Sequence, residues 1–305
     1  MYLPLLFAAL FGAVAPLIAR RLPPRLACWL LSVGGLVAAA GSAAVLGFLG
    51  FMLVGQAPLL AAEGHWSVTA LRHADPVIVP VEAAAAVALA VLTARGVRVA
   101  SHRGRALVAA YRLAAVLPAT GADLTVIADS APCAYAVPGW PGRIIATSGL
   151  LRGLDAAERR AVLAHERSHL RCHHHAHHTA AALAAAVNPL LYRLPKAVTL
   201  ASERWADEDA ARTVDRHTVA RALTNAASAS RPVGTPAVVL AAAAEQITAR
   251  VQALRSPAPR PAAWRITALL ALLLLTAAST LLAEHDTERL FELAQSAYLA
   301  AHHYR

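Results

Sequence analysis

Apolar residues dominate four separate stretches of the chain. The stretches cover residues 3–19, 26–54, 77–94 and 264–283. A membrane-spanning helix needs about 20 predominantly apolar residues, with a tolerance of a few. The pattern therefore predicts four transmembrane helices, and the second stretch is long enough to tilt or bend within a bilayer.

The region between the third and fourth stretches has a mixed pattern that predicts a folded domain. Short apolar runs at residues 123–128, 134–137 and 143–147 are separated by turn-forming residues that include two Pro-Gly pairs, which is typical of strands joined by turns. Farther along, Asp155 and Glu158 have the spacing of a capping box, and the helix-compatible run that follows contains neither Gly nor Pro. The expected fold is a mainly α membrane protein, with four transmembrane helices and an α+β domain that contains a small sheet.

Composition and charge support this interpretation. Hydrophobic residues make up 58% of the chain, the mean hydropathy is +0.51, and charged residues make up 15%, below the share of about a quarter in soluble domains. Arginines next to the membrane explain the net charge of +10, and the sequence contains no recognisable nucleic-acid-binding motif. We therefore expect a lipid bilayer as a partner and no nucleic acid.

Arginines concentrate on one side of the predicted spans. Three arginines lie between the first and second spans, four follow the third, and the loop between the second and third spans contains Arg72 as its only arginine or lysine. Because such residues favour the cytoplasmic side, both termini should be extracytoplasmic in the cell membrane. The predicted organisation is a three-helix transmembrane region over residues 1–94, a cytoplasmic domain over 95–262, a fourth transmembrane helix over 263–283 and a short extracytoplasmic tail over 284–305.

Residues 165–169 form an HExxH element, which indicates the chemistry of the cytoplasmic domain. On a helix, the four-residue spacing places His165 and His169 on one face, where both imidazoles can bind one zinc ion. Glu166 points about 100° away from His165, so its carboxylate can act as the general base on a zinc-bound water. The alternative is a polar stripe on an ordinary surface helix.

Catalytic zinc usually has three protein ligands, and Glu203 is the best candidate for the third. It lies in a helix-compatible stretch in which Asp207 follows one turn later on the same face. Asp207 then suits a role as acceptor for the distal N–H of a ligand imidazole, which fixes the tautomer of that ring. The alternative is a solvated acidic face near Arg204 and Arg212.

The sequence HERSH, followed by E-R-W-A-D-E-D-A-A from Glu203 onwards, resembles the gluzincin pattern of HExxH and E-x-x-A-D. Membrane peptidases of the BlaR/MecR and HtpX types share this pattern, and the strand pair before the zinc helix is similar to theirs. The resemblance covers roughly residues 95–215 and implies a gluzincin-like metalloprotease domain with Zn²⁺ as its cofactor. It also implies that the zinc ligands are His165, His169 and Glu203, that Glu166 is the catalytic base, and that Asp207 supports a ligand.

One departure concerns the antibiotic-sensing members, which carry a penicillin-binding domain after their last span. This chain has only about 22 residues there, and it lacks an S-x-x-K element followed by K-T-G. We therefore expect the peptidase without that sensor domain. The predicted activity is that of a zinc metalloendopeptidase that acts on a protein or peptide substrate, with a cytoplasmic regulator implied by the resemblance. The alternatives are a quality-control protease for membrane proteins and a non-catalytic zinc-binding scaffold or sensor.

The segment at residues 179–194 is apolar but short for an unaided crossing, and it contains an Asn-Pro pair that interrupts a helix. We expect it to be buried in the domain or to dip into the membrane interface and return. The preceding histidines from His173 to His178 are interpreted as a solvated polar turn, with a metal-regulatory site as the alternative. Cys172 is expected to be a bystander rather than a metal ligand.

Three further predictions concern single features. Glu82, inside the third span, is either a functional intramembrane carboxylate or a side chain that reaches the outer interface. The stretch at residues 250–261 is predicted to be a proline-stiffened linker before the last span. An exposed strand edge near the zinc helix is expected to bind substrate in extended form.

Overall fold

The computed structural model describes residues 2–118, 123–229, 237–257 and 263–302. Over these residues the chain forms twelve α-helices, one short 3-10 helix and three strands. In chain order they are α1 (Leu3–Arg21), α2 (Pro24–Gly55), α3 (Pro58–Gly64), α4 (Val68–Ala74), α5 (Val79–Val116), β1 (Leu124–Ile127), β2 (Ala134–Val137), β3 (Arg143–Thr147), α6 (Ser148–Gly153), α7 (Ala156–Arg171), α8 (His174–Val187), the 3-10 helix (Pro189–Leu191), α9 (Leu194–Ala210), α10 (Arg216–Ala229), α11 (Ala237–Arg255) and α12 (Ala263–His302).

Four of these helices, α1, α2, α5 and α12, are long and apolar enough to cross a membrane. They coincide with the four predicted stretches, so a mainly helical membrane protein with a small sheet is confirmed. Two of them are longer than predicted. Helix α5 passes residue 95, where the sequence places the domain boundary, without interruption as far as Val116. Helix α12 likewise continues to His302, so most of the predicted tail is helical.

The extra length of α12 has a packing partner. Ala294 on α12 belongs to a buried cluster with Met52 and Leu71, and its carbonyl accepts a hydrogen bond of 2.9 Å from the backbone N–H of Ser67. The Trp66 ring also packs edge-on against Phe291. The end of α12 therefore forms one structural unit with the ends of α2 and α4.

Helices α8 and α9 form a hairpin that inserts among α1, α2 and α5. At its tip, Asn188 Oδ1 accepts from the backbone N–H of Leu190 at 3.0 Å, and Asn188 Nδ2 donates to Ser42 Oγ at 2.8 Å. Ser42 lies roughly 27 Å along α2 from its first residue, so the tip reaches deep between the spans. The segment at residues 179–194 thus packs among these helices and returns, as expected, while Leu190 and Tyr192 at its turn are exposed.

The sheet has the strand order β1-β3-β2, with β1 parallel and β2 antiparallel to the central β3. Thr147 donates its backbone N–H to the Cys133 carbonyl at 2.9 Å. This hydrogen bond determines which alternate residues of β2 are hydrogen-bonded to β3. Bonding alternates along an antiparallel strand, so Ala134 and Ala136 direct their backbone N–H and C=O groups away from β3. This free edge of β2 faces α7.

Helix α7 begins at the predicted capping box, in which the Asp155 carboxylate accepts from the N–H of Glu158 and the Glu158 carboxylate accepts from the N–H of Asp155. It packs against α9, which is buried in turn against α1 and α2. The buried Arg204 on α9 donates to the Ala19 carbonyl, two residues before α1 ends. The face shared by α7 and α9 therefore lies next to one end of the helical bundle.

Candidate active site

Helices α7 and α9 bring the three predicted ligand side chains to one point. The Nε2 atoms of His165 and His169 are 3.1 Å apart. The Glu203 carboxylate lies across from them, with Oε2 3.4 Å from His165 Nε2 and Oε1 3.5 Å from His169 Nε2. Two nitrogens and one oxygen thus lie within 4.8 Å of one another, which is compatible with a shared metal ion.

Hydrogen bonds on the far side of each ring orient the imidazole lone pairs. His165 Nδ1 lies 3.0 Å from Asp207 Oδ1, and an ionised carboxylate only accepts, so Nδ1 carries a proton and Nε2 is the nitrogen that can present a lone pair to a metal ion. His169 Nδ1 lies 2.9 Å from His174 Nδ1. If His169 donates in this contact, its Nε2 lone pair also faces Glu203. The donor set therefore fits a metal of the zinc type, which takes imidazole and carboxylate ligands.

Burial and neighbouring charges set the protonation states of these groups. Burial, with a contribution from His165, lowers the pKa of His169 to about 4, so this ring is neutral near pH 7. Burial opposes ionisation of Glu203, but the hydrogen bond from His165 and the charge of Arg250 outweigh it and hold its pKa below the usual value. For His165, burial is outweighed by Asp207 and Glu203, which raise its pKa to about 10. A proton and a metal ion therefore compete for His165 Nε2.

Arg250 on α11 completes the centre, and sequence reasoning missed it. Its guanidinium bonds Asp207 through Nε and Nη2, at 2.8 and 2.6 Å, and Glu203 Oε2 through Nη1 at 2.8 Å. One cation thus pairs with both carboxylates, and the Arg250 side chain is only 12% exposed. The linker prediction is wrong for residues 250–255, which belong to α11, and its proline-rich end at 258–261 lies outside the described residues. Arg250 shares α11 with Glu245 and Arg255, so no local pattern distinguishes it from the other charged residues of this helix.

Glu166 projects from α7 towards the free edge of β2. Its carboxylate accepts a hydrogen bond from the backbone N–H of Ala136. Burial raises its pKa above the usual range, with a further increase from the charge of Glu203. A carboxylate with a raised pKa is a better proton acceptor near neutral pH than an exposed one.

A cavity of about 280 Å³ opens beside His165 and Glu166. Apart from the polar groups at one end, its walls are aliphatic, and one face of α10 supplies much of the lining. The aliphatic lining includes Leu150, Val162, Val219, Ala222, Leu223 and Ile247. Ala134 on the edge of β2 also borders the cavity, so a strand edge and an apolar cavity meet at the polar cluster.

The neighbouring histidines are less exposed than predicted. His173 adopts a left-handed conformation with φ of 50°, so the chain turns between α7 and α8 and directs the next histidines inwards. His174 and His177 are buried, His177 Nδ1 lies 2.8 Å from Ser32 Oγ, and His178 Nε2 lies 2.7 Å from Ser202 Oγ. The interpretation as a solvated turn is wrong for these side chains.

Other polar groups near the centre have separate partners. Asp207 and Asp209 are both buried. Asp209 accepts a hydrogen bond from Ser168 Oγ at 2.7 Å and pairs with Arg171 and Arg212. The interpretation of this stretch as a solvated acidic face is therefore wrong. Cys172 Sγ lies 3.8 Å from Asp209 Oδ2. Within the described ranges, it does not join the group that could hold a metal.

This geometry, with two helical histidines, a carboxylate from a second helix and a neighbouring glutamate, is that of a metallopeptidase. The family model of peptidase family M48 matches residues 103–273, just over half of the chain. The chain belongs to peptidase family M48, whose metallopeptidases are zinc-dependent. Comparison with curated proteins and with solved structures gave no match.

Replacing Asp207 with Asn should weaken zinc binding by about 10- to 100-fold, because the amide removes the negative charge that orients and strengthens His165 as a donor. The measurement is competition with a chromophoric zinc chelator, on purified protein that retains its helical circular dichroism spectrum. Glu208→Gln is the matched control, since it removes the same charge one residue away, where Glu208 pairs with Arg216. Equal affinities for the two variants would contradict a supporting role for Asp207.

Proposed function

We propose that this membrane metallopeptidase is a zinc-dependent endopeptidase. The observation that carries the proposal is the convergence of His165, His169 and Glu203 beside the half-buried carboxylate of Glu166. A scaffold that only stores zinc has no need for a half-buried glutamate next to an open coordination position and a substrate-sized cavity. A hydrolase requires both.

The chain's own residues supply the proton transfers. His165, His169 and Glu203 would hold zinc, which would supply a bound water with a pKa of roughly 7 and a Lewis acid for the peptide carbonyl. Glu166 accepts the proton of the attacking water and then delivers it to the departing amine. Asp207 holds His165 in the tautomer that leaves Nε2 free, and Arg250 keeps Glu203 and Asp207 ionised.

The substrate is proposed to be an extended polypeptide with an aliphatic side chain near the cleaved bond. The free edge of β2 offers the backbone groups of Ala134, which a peptide can pair with as an added strand. The cavity beside His165 and Glu166 then receives the side chain that points away from the sheet. Backbone pairing contributes little sequence selectivity, so the cavity would provide most of it.

The position of the candidate active site, close to one end of the helical bundle, suggests where the protein would bind its substrates. Arg204, which follows Glu203 on α9, donates a hydrogen bond to the Ala19 carbonyl near the end of α1. Arg20, Arg21 and Arg25 follow Ala19 within six residues of the sequence. These arginines support the proposal that the site is cytoplasmic in the cell membrane and that both termini are extracytoplasmic. Polypeptide segments that emerge from the bilayer would then pass close to the site.

Two biological roles follow from this activity. By resemblance to BlaR/MecR-type peptidases, the chain would cleave a cytoplasmic regulator in a signalling pathway. The closeness of the site to the end of α1 favours a second candidate, the trimming of membrane proteins in quality control. The two roles differ in the number of substrates rather than in the chemistry.

Replacing Glu166 with Gln should lower kcat by about 10²- to 10⁴-fold, because the amide cannot accept a proton. Zinc content should stay the same, since Glu166 is not among the three converging ligands. The measurement combines peptide cleavage with metal analysis of protein purified in detergent. Full activity of the zinc-loaded variant would exclude Glu166 as the base, whereas a zinc-loaded parent that cleaves no peptide would favour the scaffold.

The same variant separates the two roles. New protein termini are identified by mass spectrometry in membranes that contain either the parent chain or Glu166→Gln. One or a few cleavages in a soluble regulator would indicate signalling, whereas many cleavages close to transmembrane segments would indicate quality control.

Replacing Leu223 with Ala should reduce kcat/KM for a peptide with Leu near the cleaved bond by about 10-fold relative to a peptide with Ala there. The smaller side chain removes part of the apolar wall that would contact the substrate. Thr224→Ala, a truncation at the next position of α10, serves as the control and should leave the ratio unchanged. An unchanged ratio for Leu223→Ala would show that the cavity does not select the substrate.

A further inference from the structure

Glu82, in the first turn of α5, is fully buried. The expectation that its side chain reaches the outer interface is therefore wrong. Near the other end of α5, Ala114 packs against Val137 of the sheet, roughly 48 Å along the helix from Glu82. Glu82 thus lies at the end of the bundle remote from the proposed zinc ligands, and it has no role in the proposed hydrolysis of a peptide bond.

The two oxygens of Glu82 have different surroundings. Oε2 accepts a hydrogen bond from Gln56 Nε2 at 2.8 Å, whereas Oε1 is shielded from solvent and receives no hydrogen bond from a protein donor. The carboxyl group within hydrogen-bonding reach is that of Asp75, in the connection between α4 and α5. Asp75 Oδ1 accepts from the N–H of Val77 at 2.8 Å, but Oδ2 is also shielded and receives no donor.

Two carboxyl groups in contact cannot both be ionised without strong repulsion, so a cation must lie between them. From α4, Arg72 approaches only as far as Gln56, whose Oε1 accepts from Arg72 Nε at 3.3 Å. From α2 the facing group is the neutral Gln56, and from the connection it is Asp75. One guanidinium at this distance leaves one of the two negative charges without a partner.

The site suits a metal ion poorly. Calcium and magnesium take six or more oxygen ligands, many of them from water, whereas here the unpaired oxygens of Asp75 and Glu82 are shielded from solvent and the oxygen of the neighbouring amide already accepts from Arg72. Among the described residues, the group that could hold a metal with three or more ligands is the one at the zinc site. A proton needs only two oxygens.

We propose that Asp75 and Glu82 share one proton and form a proton-binding site at the end of the bundle opposite the zinc centre. The shared proton ties the α4–α5 connection to α5 and, through Gln56, to α2. Since α4 also packs against the end of α12, ionisation of the pair would loosen this whole end of the bundle. A proton bound in the folded chain but not in the unfolded chain stabilises the fold, and this stabilisation is lost as pH rises.

The test is thermal unfolding of the full chain in detergent between pH 5 and pH 9, for the parent, Glu82→Gln and Asp75→Asn. An amide in either position donates permanently to the remaining carboxylate, so both variants should lose pH dependence. We expect the parent's Tm to fall on going from pH 6 to pH 9 by about 3 °C or more beyond the fall seen in either variant. Glu63→Gln, which removes an exposed carboxylate from α3 at the same end, should behave as the parent does.

Infrared spectroscopy provides a second readout that does not depend on stability. The parent should show the C=O band of a buried carboxylic acid at neutral pH, and the band should be missing from both Glu82→Gln and Asp75→Asn. A band that persists in both variants, or equal pH dependence of Tm in all four proteins, would overturn the proposal. A rise in the parent's Tm at pH 8 on addition of Ca²⁺ or Mg²⁺, absent from Glu82→Gln, would replace the proton with a metal ion.

Discussion

The ion cluster of Arg250, Asp207 and Glu203 is the interaction on which the proposed zinc centre depends. Two carboxylates are removed from water within one turn of α9, which is unfavourable unless a cation is removed with them. Arg250 meets this requirement with hydrogen bonds to both groups. Because Arg250 is on α11, the centre requires α11 to pack against α9, and the last helix before α12 is thereby tied to the candidate catalytic residues.

Helix α9 connects this centre to the membrane-spanning helices. One of its faces carries Glu203 and Asp207, while other residues of the same helix are buried against α1 and α2. The hairpin of α8 and α9 places Asn188 between the spans and His174 beside His169. The candidate catalytic residues and the helices that could span a membrane therefore share structural elements rather than forming separate units.

Local features of the fold and site were predictable from sequence. The strands were marked by turn residues, α7 by its capping box, and the pairing of His165 with His169 by the helical repeat. The remaining features depend on tertiary contacts between distant residues. Arg250 meets Asp207 across 43 positions, His174 turns inwards because His173 adopts a left-handed conformation, and Glu82 is buried because Gln56 and Asp75 cover it. No local pattern encodes these contacts.

X-ray absorption at the zinc edge of the purified chain tests the proposed ligand set. We expect zinc coordinated by two imidazole nitrogens and by oxygen at about 2.0–2.2 Å, with no sulfur, and a spectrum that changes when Glu203 is replaced by Ala. A sulfur ligand at about 2.3 Å, or an identical spectrum for the Glu203→Ala variant, would contradict the ligand set on which the proposed activity rests.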